Sequence, residues 1–141
     1  MLPGQLDMFR RDRRRRPKAV TLDPPEYRMQ IALVQLLRLQ ARPEIEYWHT
    51  PNGELRDKRH AAKLKAMGTR PGVADLVFLF HDTAEVPVLF LELKARKGRL
   101  SDDQEHFRNR VRALGYAYEW TDSFDDAVRI LRKYHVLRVK R

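Results

Sequence analysis

The stretch DLVFLFHDTAEVPVLFLELK, residues 75–94, contains two apolar runs and decides the fold of this chain. Residues 76–80 and residues 88–91 are continuously apolar, and a short polar connection separates them. Continuous apolar runs are typical of strands that are covered on both faces, so we expect helices above and below a sheet. If Phe80 faces Pro87 across the connection, the two strands form an antiparallel hairpin.

Two charged residues interrupt the second strand of this hairpin. Glu92 and Lys94 fall on the face that Val88 and Phe90 share, because side chains alternate along a strand. Burying an unpaired charge is costly, so either the strand lies at an edge with its charges in water or the charges face a counter-ion. An exposed ion pair between Glu92 and Lys94 is the simpler interpretation, and the register of the hairpin weighs against it.

The predicted register brings a second carboxylate to Glu92. Partners in an antiparallel hairpin have position numbers with a constant sum, so pairing Phe80 with Pro87 sets Asp75 opposite Glu92. Directly opposed residues have β-carbons about 5 Å apart. Two carboxylates at that separation repel unless a proton or a cation lies between them, and Mg²⁺ prefers oxygen ligands of this kind. The hairpin therefore predicts a site for a divalent cation.

A polar side chain on a later helix is predicted to point at this site. Ser101 and Gln104 form a capping box that opens a helix with Phe107, Val111 and Leu114 on its inward stripe. Gln104 lies on the same stripe, so we expect its amide to reach the sheet. The alternative is that Gln104 serves the cap alone.

A third carboxylate opens the first predicted helix. Glu26 lies on a line with Gln30, Leu33 and Leu37, so we expect it to point inward as well. A favourable acid at a helix N-terminus is the competing interpretation of Glu26.

The whole pattern predicts an α/β protein in the order helix, strand or hairpin, short helix, two strands, helix, strand, helix. Outside the hairpin and the capping-box helix, the predicted bounds are Glu26 to about Ala41 for the first helix, Ile45 to Thr50 for a strand, Arg59 to Met67 for the short helix, Tyr116 to Trp120 for a strand, and a last helix capped by Ser123. Apolar residues fall on nearly every side of the first helix, so we expect it to be largely buried. Asn52-Gly53 predicts a tight turn, and residues 135–141 predict either a short strand or an extended end.

Length and composition limit the classes of function. The 141 residues fit one domain, and the net charge of +10 indicates a polyanionic partner such as DNA. The lack of cysteine excludes disulfides, Cys-ligated zinc and thiol nucleophiles, and it suits a reducing cytosol. No apolar run approaches the roughly 20 residues of a membrane span, so we expect a cytoplasmic protein that does not bind membranes.

Half of the positive charge lies in a short N-terminal arm. Residues 1–18 hold seven Lys or Arg and two Asp, which is +5 of the total +10. We therefore predict that residues 1–20 are a disordered basic arm that binds nucleic-acid phosphate, and that residues 21–141 are the folded domain. A solvated tail without a partner is the alternative for the arm.

The arm also contains an apolar patch formed by Gln5, Leu6, Asp7, Met8 and Phe9. This patch resembles the Gln-Leu-x-Leu-Phe peptide by which bacterial DNA-metabolising proteins bind the polymerase sliding clamp, with Met8 in place of the second Leu. A segment that folds back onto the domain is the alternative.

Several motifs together resemble the virus-type replication-repair nuclease (VRR-NUC) family of the PD-(D/E)xK nuclease superfamily. They cover most of residues 26–131 and follow the order of the family. The motifs are Pro51-Asn52-Gly53-Glu54, Lys65-Ala66-Met67-Gly68, Arg70-Pro71-Gly72-Val73-Ala74-Asp75, Leu91-Glu92-Leu93-Lys94-Ala95-Arg96-Lys97-Gly98-Arg99-Leu100-Ser101, and Gln104. The resemblance implies a restriction-endonuclease-like core with a central mixed sheet flanked by helices. Ala74 departs from the Pro that is usual before the Asp, and we expect a less rigid loop rather than a loss of activity.

The resemblance also implies roles for individual residues. Asp75 and Glu92 look like ligands of Mg²⁺, which Mn²⁺ is expected to replace, together with the backbone carbonyl of Leu93 and with Glu26. Lys94 looks like the catalytic lysine, and Gln104 like the glutamine that follows the core motif. A set of basic residues is expected to contact DNA phosphates, with ordinary solvated surface as the alternative for each. These are Lys65, Arg70, Arg96, Lys97 and Arg99.

The expected function is Mg²⁺-dependent, structure-specific endonuclease activity on branched DNA such as four-way junctions or flap-like substrates. Free-standing proteins resembling this chain are associated with branched DNA, and two cuts in a symmetric junction imply a homodimer. The alternative is a non-catalytic basic DNA-binding adaptor on a nuclease-like fold. The five histidines lack close ligand spacing, so a His-metal nuclease is not supported and we expect them to be surface or packing residues.

Overall fold

A computed structural model describes residues 25–51, 57–81 and 84–139 of the chain. The predicted arm at residues 1–20, its peptide at residues 5–9 and the predicted turn at Asn52-Gly53 lie outside these ranges. None of the helices in the described ranges has the length and apolar character needed to span a bilayer.

Four helices and four strands follow the predicted order in the described residues. Their bounds are α1 Pro25–Gln40, β1 Glu46–His49, α2 Lys58–Ala66, β2 Leu76–Leu79, β3 Val88–Leu93, α3 Asp102–Ala113, β4 Ala117–Thr121 and α4 Phe124–Lys133. The helix starts agree with the capping signals, because the hydroxyl oxygens of Ser101 and Ser123 accept hydrogen bonds from the amides of Gln104 and Asp126.

The strands form one mixed sheet in the order β1-β2-β3-β4. The first two pairs are antiparallel, and β3 pairs with β4 in parallel through the crossover helix α3. Leu76 pairs with Leu91, and the amide of Phe80 donates to the carbonyl of Pro87 at 2.9 Å. The predicted hairpin register is therefore confirmed.

Helices cover both faces of the sheet, as the apolar runs predict. On one face, α1 and α4 pack Leu33, Leu37 and Leu131 against Leu89 and Leu91. On the other face, α3 packs Phe107 and Val111 against Phe90 and Tyr118. The rings of Phe90 and Phe107 meet edge to face, with centroids 5.2 Å apart.

Two predictions about burial are wrong. Only Leu33 and Leu37 of α1 are buried, and Leu39 is 77% exposed, because a single face of this helix contacts the sheet and α4. Leu114 is 63% exposed because it is the C-cap residue, beyond the last turn of α3 that lies on the sheet. Apolar periodicity therefore overestimates the buried surface of both helices.

The C-terminal tail makes a single bridge rather than a strand. Leu137 pairs with Ala41 in an isolated antiparallel bridge, and Val136 is fully buried beside it. The tail thus closes the core between α1 and α4 without extending the sheet.

Candidate active site

The first feature of the site is the pair Asp75 and Glu92 at one end of the central hairpin. Asp75 directly precedes β2, and the pairing of Leu76 with Leu91 sets Asp75 opposite Glu92. The carboxylate oxygen Oδ2 of Asp75 accepts a hydrogen bond from the amide of Leu93 at 2.8 Å. Asp75 therefore reaches across to β3, as the register predicts.

Glu92 is buried, with 3% of its surface exposed. Its oxygen Oε1 accepts hydrogen bonds from the amide Nε2 of Gln104 at 2.6 Å and from the ammonium of Lys94 at 3.0 Å. Its other oxygen, Oε2, is buried and has no hydrogen-bond partner within the described part of the chain. Burying a carboxylate oxygen without a partner costs free energy, and a bound proton or cation would reduce this cost.

Both carboxyl groups hold protons more tightly than usual. Burial first, and then the charge of Asp75, raises the pKa of Glu92 from 4.5 to about 7, although Lys94 opposes both effects. Burial also raises the pKa of Asp75, against the opposing influence of the Leu93 amide. Near pH 7 Glu92 is therefore protonated in about half of the molecules unless a cation takes the place of the proton.

Gln104 fulfils both of its predicted roles at once. Its Nε2 donates to Glu92, while its Oε1 accepts from the amide of Ser101 at 2.8 Å in the capping box. The two ends of one amide thus join the start of α3 to the carboxylate pair. The predicted inward direction of Gln104 is confirmed.

The loop at residues 69–74 is held against the start of α3. Gly72 has a φ of +79°, and a β-carbon at this position would overlap the backbone carbonyl of Asp103. The following Ala74 is fully buried beside Phe107 and Val111. This close approach of two backbones holds the loop that leads to Asp75 against the helix start that carries Gln104.

Glu26 lies at the border of the site. Its oxygen Oε2 accepts from the amide of Ala95 at 3.2 Å, and its charge contributes to the raised pKa of Asp75. In residues 25–51, 57–81 and 84–139, no three His, Cys, Asp or Glu side chains lie close enough to surround an ion. The candidate side-chain ligands are therefore Asp75 and Glu92, and Glu26 lies next to this pair rather than in it.

Three residues near the site were not predicted. The amide of Thr50 and the Nδ1 of His49 both donate to the carbonyl oxygen of Asp75, at 2.9 and 2.8 Å, and so hold its backbone to the end of β1. The antiparallel pairing of β1 with β2 would have indicated this contact. The third residue is Tyr118, which is 2% exposed and whose hydroxyl has no hydrogen-bond partner in the described residues. It pairs with Phe90 in the parallel β3–β4 ladder, and no local sequence pattern predicts that register.

The predicted phosphate-binding residues are all exposed. Arg70 lies in the loop before β2, with its guanidinium 5.8 Å from the ring centroid of Phe107, whereas Lys65 is in α2. Three others, Arg96, Lys97 and Arg99, follow β3 directly. The amide of Lys97 donates to Asp122 at 2.7 Å, which holds this turn at the same end of the sheet. Their contact with DNA stays a prediction.

A mixed sheet that carries a buried and a half-buried carboxylate and a lysine at the end of its central hairpin defines a nuclease-like α/β fold. In a comparison with protein families, the sequence model of the VRR-NUC domain matches residues 25–125 of this chain. The chain therefore belongs to the VRR-NUC family, as its motifs predict. A solved structure described as a "VRR_NUC domain protein" is similar in fold, with a TM-score of 0.63 and 21% identity over 80% of this chain and 89% of that chain. A search of curated proteins finds no match.

Proposed function

We propose that this protein is a Mg²⁺-dependent endodeoxyribonuclease that hydrolyses phosphodiesters in branched DNA. The observation that carries the proposal is the buried oxygen Oε2 of Glu92, which has no hydrogen-bond partner in the described residues, on a carboxyl group whose pKa the charge of Asp75 also raises. A divalent cation would offset both its desolvation and the repulsion from Asp75.

The residues present fit an oxygen-ligated ion. Asp75, Glu92 and the backbone carbonyl of Leu93 would hold Mg²⁺, for which Mn²⁺ would substitute, and Glu26, at the border of the site, would hold it through water. When bound, the ion lowers the pKa of a water molecule and neutralises charge on the phosphate. Gln104 keeps Oε1 of Glu92 occupied, so that Oε2 is the oxygen left for the ion.

Lys94 supplies the positive charge beside Glu92. Its ammonium lies 3.0 Å from Glu92, and its side chain is 16% exposed, so it is accessible to a phosphate that approaches from solvent. In this position it orients or helps to deprotonate the attacking water and stabilises the charge that develops on the phosphate. Exposed Arg70, Arg96, Lys97 and Arg99, with Lys65 on α2, would contact neighbouring phosphates.

The test is cleavage of four-way junctions, flaps, forks and linear duplexes in Mg²⁺. We expect branched DNA to be cut, EDTA to abolish cutting, and Asp75→Ala or Lys94→Ala to reduce the rate by about 100-fold or more. Arg132→Ala, on the exposed face of α4, is the matched control and should leave the rate unchanged. Wild-type protein that binds junctions but cuts none of these substrates would identify the non-catalytic adaptor instead.

We further propose that the active form on junctions is a homodimer. The described part of one chain contains one such carboxylate pair, and a symmetric junction requires two cuts. Sedimentation at low micromolar concentration should show a dimer. A monomer that still resolves junctions would contradict this proposal.

The peptide at residues 5–9 is proposed to bind a bacterial sliding clamp. Its apolar side chains Leu6, Met8 and Phe9, with Gln5, match the docking pattern described above. A pull-down with the clamp should succeed with wild-type protein and fail when Leu6 and Phe9 are changed to Ala. Equal retention of the variant would refute clamp binding by this peptide.

A further inference from the structure

Helix α2 lies at the surface of the protein. It begins after Asp57, whose side chain accepts from the amide of His60 at 2.7 Å, and it ends at the C-cap residue Met67. None of its nine residues is buried, and no other helix or strand of the described residues packs against it. The rest of the fold therefore gives α2 little stabilisation.

The charge of α2 is of one sign. Its sequence KRHAAKLKA contains four Lys or Arg and no acid. At 100° per residue, Lys58, Arg59, Lys63 and Lys65 share one face of the helix, with the small Ala62 and Ala66 between them. The half-buried Leu64 lies on the opposite face, which turns the basic face toward solvent.

An isolated helix with this length and charge is marginal in water. Helices shorter than about 12 residues rarely form without tertiary contacts, and the like charges of Arg59 and Lys63, four residues apart, repel each other. A partner that carries closely spaced negative charge would remove this repulsion and stabilise the helix. The properties of α2 thus favour a polyanion.

We infer that α2 is a DNA-binding helix whose basic face contacts the phosphate backbone beside the cleavage site. This inference rests on the proposed function. A second copy of the chain is a poor partner, because it would bring the same positive charge to α2. A membrane surface is also a poor partner, since the face opposite the basic residues offers Leu64 and no aromatic side chain.

The position of α2 in the chain fits this role. Eight residues, 67–74, connect α2 to Asp75, so the helix end lies within roughly 30 Å of the carboxylate pair even if this connection is fully extended. One turn of B-form DNA is about 34 Å long. Phosphates bound by α2 would therefore lie within about the length of one DNA turn from the scissile phosphate.

The test compares two triple variants with equal charge. Lys58→Gln, Arg59→Gln and Lys63→Gln change α2, whereas Arg110→Gln, Arg132→Gln and Arg138→Gln change exposed residues elsewhere. Binding to a four-way junction is measured in EDTA at about 50 to 200 mM salt. We expect the α2 variant to lower the slope of log K against log salt by about 0.9 for each lost phosphate contact, and the control variant to change the slope little.

Three results would overturn the inference. The first is an equal salt slope for the two triple variants. The second is wild-type hydrogen exchange at the α2 amides that stays unchanged when junction DNA is added, since DNA binding should slow this exchange. The third is a change in sedimentation of the α2 variant without a change in its salt slope, which would identify α2 as a subunit contact.

The same measurements separate this inference from the proposed function. Because binding is assayed in EDTA, wild-type protein that binds through α2 but never cuts DNA would support the role of α2 and refute the nuclease. Wild-type protein that cuts DNA while the two variants give equal slopes would refute only the role of α2.

Discussion

At Glu92 the two carboxylate oxygens have different surroundings, and the chemistry of the site depends on this difference. Oε1 is held by Gln104 and Lys94, whereas Oε2 is buried without a partner in the described residues. The desolvation that raises the pKa of Glu92 to about 7 is the same effect that would favour a bound cation. A bound metal ion and the proton would therefore compete for one position.

Glu92→Gln should change how stability depends on pH in the absence of metal. The folded-state pKa of Glu92, about 7, lies above its ordinary value of 4.5, so its proton stabilises the fold below pH 4.5 and this contribution is lost as pH rises through 7. Between pH 5 and pH 8 in EDTA, the wild type should lose about 2 kcal/mol relative to Glu92→Gln, which cannot ionise. Urea unfolding at both pH values measures this difference.

Mg²⁺ provides the control for this prediction. At pH 8 it should restore stability to the wild type but not to Glu92→Gln, because it binds the ionised pair in the folded state. If the wild type and Glu92→Gln differ in free energy of unfolding by the same amount at pH 5 and pH 8, the pKa of Glu92 is not raised by burial, and the prediction is wrong.

Tyr118→Phe should stabilise the protein. The hydroxyl of Tyr118 is buried without a partner in the described residues, and burial raises its pKa. Removing an unsatisfied polar group is expected to raise the free energy of unfolding by about 1 kcal/mol, or the melting temperature by about 4 °C. Tyr116→Phe is the control and should have no effect, because Tyr116 is 40% exposed. A loss of stability in Tyr118→Phe would reveal an internal water bound to the hydroxyl.

At the scale of elements, the site depends on two connections between the hairpin and α3. The capping box and the amide of Gln104 join the start of α3 to Glu92. The loop at residues 69–74 lies against the same helix start through Gly72. Both connections hold the start of α3 against the segments that carry Asp75 and Glu92.

Gly72→Ala should therefore affect stability and activity together. The new β-carbon would overlap the backbone of Asp103, and the positive φ of Gly72 adds strain, so we expect a loss of more than about 2 kcal/mol and slower cleavage. Gly68→Ala is the matched control, because Gly68 also has a positive φ but open space around it. This control should lose about 1 kcal/mol and retain activity. Equal losses in the two variants would contradict the packing of the loop on α3.

At the scale of the whole molecule, positive charge is distributed over several separate surfaces. Arg96, Lys97 and Arg99 follow β3, after Asp75 in the chain. The basic face of α2 precedes Asp75. Half of the net charge of +10 belongs to residues 1–18, outside the described residues. These surfaces would act together on a branched polyanion.

Deletion of residues 1–20 should weaken DNA binding without changing the stability of the domain. The deletion removes +5 of the net charge and lies outside residues 25–125, which match the family. We expect an unchanged melting temperature and a lower salt slope for DNA binding, by about 0.9 per lost phosphate contact. A clear fall in melting temperature would instead show that this segment folds back onto the domain.

Much of the candidate site was predictable because its central contact is local. Asp75 and Glu92 are opposed within one antiparallel hairpin, whose register follows from a short connection between two apolar runs. The direction of Gln104 followed from helical periodicity and its capping box. His49, in contrast, was expected only to be a surface or packing residue, because its contact with Asp75 requires the pairing of β1 with a distant strand.

Burial was less predictable than the element order. The apolar residues of α1 suggested a buried helix, yet one face alone is covered, since the sheet and α4 offer contact on a single side. The position of Tyr118 depends on the parallel pairing of β3 with β4 across the whole of α3, and no local pattern sets that register.

The sequence by itself determined the order of the elements, the hairpin register and the carboxylate pair, because strand alternation, capping and short connections act between residues that are near in the chain. Only the tertiary structure decided which oxygen of Glu92 lacks a partner in the described residues, which face of α1 is covered and that no other described helix or strand packs against α2. These features depend on which side chains are shielded from water. Elements that are distant in the chain provide this shielding, and they do so only when the helices are packed on the sheet.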